Sequence, residues 1–140
     1  MRRSLTEREQ RILQESSTGG GSKARIAGIL GCSERTVKHL CEGLFRLYGV
    51  NKLENAVCAA IDSADIIGPK SPPVPSQLPS DKEMSVVLLL PTGMTNKEIA
   101  AKLKISEVAV KHRILGARRI YGARDRVHLT AIAYLYGSTR

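Results

Sequence analysis

Two lysine–histidine pairs, Lys38-His39 and Lys111-His112, stand 73 residues apart, and each is followed at the same distance by an arginine, Arg46 or Arg119. On a helical period the first pair shares a stripe with Arg35 and Glu42, and the second with Val108 and Leu115. The chemistry open to such stripes is recognition rather than bond-making. Lys and Arg reach phosphates or guanine edges, His donates or accepts at a base edge, and Glu accepts from cytosine N4. Leu makes only apolar contact, for example with a thymine methyl. Three scattered histidines, no carboxylates paired at catalytic spacing and no phosphate loop argue against an enzyme. No metal-ligand pattern or cofactor motif stands in the chain, so neither a metal nor a cofactor is expected.

The elements that must position these stripes are legible from their surroundings. Val37, Cys41, Leu44 and Tyr48 recur at core spacing on the same stretch, as do Val110, Ile114, Ala117 and Tyr121. Each stripe therefore lies opposite a core face on one helix. The register extends well beyond that helix. From Ile26 to Gly49, 12 of 24 positions are identical to those from Ile99 to Gly122, without a gap. The chain is two copies of one unit.

Each unit reads as four short helices, so the fold class is all-α. Capping boxes open the first helix at Thr6-x-x-Glu9 and Ser80-x-x-Glu83, and a third opens at Thr95-x-x-Glu98. Ser33 and Ser106 cap the third helix, which ends where Gly49 and Gly122 supply left-handed caps. The fourth helix follows Asn51 or Asp125 and ends near Ala64 or Tyr136. Only Gly31-Cys32-Ser33 separates the second and third helices of the first copy, which is helix-turn-helix spacing. A mid-helix glycine costs about 1 kcal/mol relative to alanine. Its presence at both Gly43 and Gly116 implies close approach of a neighbouring helix.

Composition bounds the partner. The net charge is +9, with +3 on residues 1–64, zero on 65–77 and +6 on 78–140. Basic charge concentrated in folded units points to a polyanion. Five of the six prolines fall in PKSPPVPSQLP, which sets a Pro-rich linker at 65–77 between domains at 1–64 and 78–140. Cys32, Cys41 and Cys58 align with apolar Ile105, Ile114 and Ala131, so buried, inert thiols in a reducing cytoplasm are expected. No long apolar run and a polar start give no expectation of a membrane span or signal peptide.

These residues resemble the LuxR-type helix-turn-helix family. The first copy carries Leu5-Thr6-Glu7-Arg8-Glu9, Ile26-Ala27, Leu30, Ser33, Thr36-Val37-Lys38 and Gly49-Val50. The second carries Thr95-Asn96-Lys97-Glu98-Ile99-Ala100, Leu103, Ile105-Ser106, Val110-Lys111 and Gly122. The resemblance implies four-helix DNA-binding units whose third helix enters the major groove and whose fourth often forms a dimer contact. It makes Lys38 and Lys111 groove-facing lysines and places His39 and His112 at the variable position that follows. It also brings Thr36, Lys97 and Arg113 into the candidate contact set. The chain departs from the pattern at Leu40 and Arg113, where the family usually has histidine, and at Ala109, which lacks the hydroxyl kept at Thr36.

The resulting expectation is a bacterial or phage transcription regulator, cytoplasmic and nucleoid-associated, that reads double-stranded DNA with both third helices. The candidate contacts are Arg35, Thr36, Lys38, His39, Glu42, Arg46, Lys97, Lys111, His112, Arg113, Leu115 and Arg119. The difference between the stripes implies related but non-identical half-sites. The fourth helices pair either within one chain, as a pseudo-dimer, or between chains, as a homodimer. The 15 residues between Ala64 and Ser80 reach roughly 46 Å at about 3.1 Å each, enough for adjacent groove sites about 34–36 Å apart. The alternative is a module related to the promoter-reading domain of sigma factors that contacts RNA polymerase or a regulator without reading bases.

Overall fold

The computed structural model describes residues 3–68 and 79–136. Among them are eight α-helices, one 3-10 turn and no strand. The first unit comprises α1 (Glu7–Gly19), α2 (Lys23–Leu30), α3 (Glu34–Tyr48) and α4 (Leu53–Asp62). The second comprises α5 (Asp81–Val87), the 3-10 turn (Leu90–Thr92), α6 (Asn96–Leu103), α7 (Glu107–Tyr121) and α8 (Arg126–Tyr136).

Local chemistry accounts for the helix starts. Thr6, Ser80 and Thr95 each form a full capping box with the glutamate three residues on. Ser33 and Ser106 accept from the backbone N–H of Thr36 and Ala109 at 3.1 and 3.0 Å. Gly49 and Gly122 close α3 and α7 at φ 68° and 67°. The turn before the third helix differs between units. Gly31 takes φ 69° in the first, and its counterpart Lys104 takes φ 59° in the second. The opening helix differs too: α1 has 13 residues, whereas α5 has 7 and gives way to the 3-10 turn at Pro91, which has no N–H to continue the ladder.

Each unit has its own core. Ile12, Leu13, Ile26, Val37, Leu44 and Val57 are fully buried in the first; Val86, Leu90, Ile99, Val110 and Leu129 in the second. The glutamate of a capping box lies over the mid-helix glycine in both units, but the expected close approach holds only at Gly116, where Glu83 stands in the path of a Cβ; at Gly43 a Cβ would meet Glu9 at ordinary contact distance.

The fourth helix of the first unit follows Asn51 after one residue: α4 begins at Leu53, and its cap residue Lys52 makes no side-chain cap bond. The Lys52 ammonium donates instead to the Gly93 carbonyl at 3.1 Å. Residues 65–67 still pack on the first unit. Ile66 is buried in the first core, Tyr48 Oη donates to Asp65 Oδ2 at 2.6 Å, and Gln14 Oε1 accepts from the Ile67 N–H at 3.2 Å. Apolar Ile66 has more to gain from the core than from solvent, so the chain follows it inward. The polyproline-II reading falls on a segment of which residues 69–78 lie outside the described residues.

α8 packs on α4 and α1, joining the two units. The contacts are reciprocal under the 73-residue offset. Glu54 pairs with Arg126, the counterpart of Leu53, while Leu53 and Val127, the counterpart of Glu54, converge on Gly21. Lys52 bonds Gly93, the counterpart of Gly20, while Asp125, the counterpart of Lys52, lies against Gly20 and accepts from the Gly21 N–H at 2.8 Å. Residue i meeting j while j meets i is the signature of a two-fold interface. Ala131 of α8 is fully buried in the first unit's core, and Tyr134 Oη donates to Asp62 at 3.0 Å.

Candidate nucleic-acid interface

α3 and α7 hold the stripes by burying their opposite faces. Val37, Cys41 and Leu44 face the first core, and Val110, Ile114 and Ala117 the second. Outward stand Arg35, Lys38, His39, Glu42 and Arg46 on α3, all exposed. On α7, Val108, Lys111, His112, Leu115 and Arg119 are exposed. Lys38, Arg46, Lys111 and Arg119 make no hydrogen bond or ion pair among the described residues, leaving their charges available. His39 Nδ1 lies 3.8 Å from Glu42 Oε1, a pairing with both side chains in solvent.

Three candidate residues sit differently. Thr36 is half-buried, with its hydroxyl 3.0 Å from Ser33 Oγ. Arg113 is half-buried on α7, whereas Lys97 is exposed at the start of α6.

The structure adds residues that the sequence reading passed over. A shallow cleft beside α3 is lined by Lys23, Lys38, Glu42, Phe45 and Lys52. Its counterpart beside α7 is lined by Asn96, Lys111, Leu115, Arg118 and Arg126. Lys23 and Asn96 are equivalent under the offset, as are Phe45 and Arg118. Lys23 and Lys52 lie outside the third-helix stripe, and only tertiary placement brings them beside it. In the second cleft Arg126 is committed inward: its guanidinium bonds Asn96 Oδ1, the Met94 carbonyl at 2.9 Å and Glu54 at 2.9 Å.

Cys41 and Cys58 are buried as expected, whereas Cys32, in the turn before α3, is only half-buried. Burial raises the Cys41 thiol and pushes Cys58 up to about 12, so both stay protonated. Among the described residues no His, Cys, Asp and Glu side chains converge as a metal site. No described helix is long and apolar enough to cross a membrane.

The architecture is a helix-turn-helix protein in which one chain carries two copies of the unit. A family model described as bacterial regulatory proteins, luxR family, matches residues 3–60 and 78–133. The two segments cover most of the chain, and the protein belongs to this family. It is also similar to a nitrate/nitrite response regulator protein homolog of Haemophilus influenzae, at 40% identity over 55 residues. That match spans 39% of this chain and 26% of the relative, so the likeness concerns one unit's length and about a quarter of the other protein. No solved structure matches the chain.

Proposed function

We propose that the protein is a sequence-specific regulator of transcription that binds double-stranded DNA as a covalent pseudo-dimer, with α3 and α7 in the major groove. One observation carries this reading. The Lys-His pair and the following arginine occupy the same exposed positions on both third helices, while exposed neighbours on the same stripe change, Arg35 to Val108 and Glu42 to Leu115. A merely solvated face tolerates almost any polar residue, so retention in both copies favours a shared ligand. The surplus of cations favours phosphate and guanine contact. Luxr-family membership and the likeness to a response regulator support the same class.

The reciprocal α4–α8 contacts favour the one-chain arrangement over a homodimer. Two first units joined the same way would set Glu54 against Leu53, and two second units would set Arg126 against Val127. Only the mixed pair matches charge with charge and apolar with apolar.

The test is selection of bound sites from a random duplex pool by the whole chain, followed by a salt titration. Two related, non-identical half-sites are expected. Lys38→Ala and Lys111→Ala should each weaken binding about tenfold and lower the salt slope by about 1, with folding intact. Unchanged affinity in both folded variants would remove α3 and α7 from the interface. Binding to RNA polymerase with no sequence preference on duplex DNA would replace this reading with that of a protein-contact module.

A further inference from the structure

Lys111 and His112 form the centre of a diamond of exposed side chains whose outer corners are Val108 and Leu115. On α3 the same diamond is Arg35, Lys38, His39 and Glu42. The centre is identical, and the corners change from two charged side chains to two apolar ones. Val108 is 62% exposed and Leu115 42%. They are two of the four large apolar side chains exposed among the described residues, the others being Ile67 and Leu88. Nothing in the fold requires them there, since the α7 core face is already supplied by Val110, Ile114 and Ala117.

We propose that Val108 and Leu115 are the specificity-determining residues of the second unit and read the C5 methyl groups of thymine, whereas the first unit reads polar base edges at the matching positions. The proposal rests on the duplex-binding reading above and names what each half-site contains. The spacing fits. Seven residues complete nearly two turns, so both side chains lie on one face about 10.5 Å apart, which is about three base steps of 3.4 Å. In the major groove the thymine methyl is the apolar group a Val or Leu can meet, while polar edges in front of it would lose water without a partner. On α3, Arg35 matches a guanine edge and Glu42 a cytosine amine. A protein partner fits less well. Lys111 and His112 separate the two apolar side chains, and interface cores are depleted of charge rather than divided by it.

The test starts from the selected duplex. Each thymine is replaced in turn by deoxyuridine, which lacks only the C5 methyl. At two positions about three base pairs apart in the second unit's half-site, binding by the whole chain should weaken about fourfold per methyl removed. The double variant Val108→Ala, Leu115→Ala should bind the thymine duplex correspondingly less well and lose its sensitivity to deoxyuridine. The same replacements in the first unit's half-site should have no effect. Unchanged affinity at every thymine of the second half-site would overturn the proposal while leaving duplex binding intact. So would a double variant that binds DNA normally and differs only in self-association. A chain that binds no duplex at all would instead overturn the reading on which the proposal rests.

Discussion

The two units place the same Lys-His pair on the same outward face and support it by different means. The first has a 13-residue opening helix, an arginine holding its capping glutamate and a glycine in the turn before α3. The second has a 7-residue opening helix, no arginine on its capping glutamate among the described residues, and Lys104 in that turn. The second unit also carries twice the net charge, +6 against +3. Duplication preserves the outward Lys-His pair, while the capping interactions and net charge diverge around it.

The sharpest way to break the comparison is at the joint between the units. Glu54 and Arg126 have side chains only 12% and 25% exposed, and they are bonded at 2.9 Å. Removing one partner of such a pair leaves the other charge desolvated. Arg126→Ala strands Glu54 with Thr130 Oγ1 at 3.4 Å, and should lower stability by about 2–3 kcal/mol in urea denaturation, allowing for the partial exposure. Glu54→Ala should cost less, because Arg126 keeps Asn96 and the Met94 carbonyl. Equal losses would mean that the α6 contacts contribute nothing.

The mid-helix glycines separate the units with opposite outcomes. A Cβ on Gly43 would meet Arg3 and Glu9 at 3.5 Å, ordinary contact distance. Gly43→Ala should therefore stabilise by up to about 1 kcal/mol through helix propensity. A Cβ on Gly116 would run into the Glu83 carboxylate. That side chain can move, but only by giving up its bond to the Ser80 N–H at 2.9 Å. Loss of the box offsets the propensity gain, on the scale of about 1 kcal/mol, so Gly116→Ala should be near neutral. Thermal denaturation of both variants checks the pair, and a stabilising Gly116→Ala would remove the role assigned to Glu83.

Much of this arrangement was legible because it repeats. The three capping boxes, both serine caps, both glycine stops and the division of each third helix into core and outer stripes all rest on local rules that a sequence states directly. The close approach at Gly116 is readable as a fact, but its agent, Glu83, comes from another helix and carries no local signal. Lys23 and Lys52 line the first cleft through tertiary placement, which no local pattern in the sequence states. Ile66 precedes a run of prolines, and its place in the first core rests on burial that no local pattern announces. The reciprocity of Glu54 with Arg126 is visible only once α4 and α8 are packed.

The turn before the third helix gives a smaller effect. Lys104 adopts φ 59° where the first unit has Gly31 at φ 69°. A side chain in the left-handed region is strained by roughly 1 kcal/mol, and glycine is not. Lys104→Gly should raise stability by about 0.5–1 kcal/mol, less the extra entropy of an unfolded glycine. Gly31→Lys should cost a similar amount in the first unit. Chemical denaturation of both variants tests the symmetry, and a destabilising Lys104→Gly would show that the lysine side chain makes a contribution its backbone angle conceals.

The smallest effect separates the units by pH. Arg3 holds the Glu9 carboxylate through two bonds of 2.7 Å, and that pairing, with the bonds from Thr6, lowers the Glu9 pKa below the ordinary carboxylate value against the opposing effect of burial. A carboxylate whose folded pKa is depressed contributes stability above its unfolded pKa, and the contribution fades as pH falls through the folded one. The window therefore opens near the unfolded value of about 4.3 and extends downward. Glu9→Gln keeps a side chain able to complete the capping box but removes the ion pair. Because Arg3 is half-exposed at 49%, solvent screens the pair, and the loss at neutral pH should stay under about 1 kcal/mol. The variant should also unfold less steeply with acid than the parent, converging with it once Glu9 is protonated in both states. Helical circular dichroism followed from pH 7 downward measures this. Parallel acid limbs in parent and variant would show that the Arg3 pairing, though well formed, does not distinguish the first unit from the second.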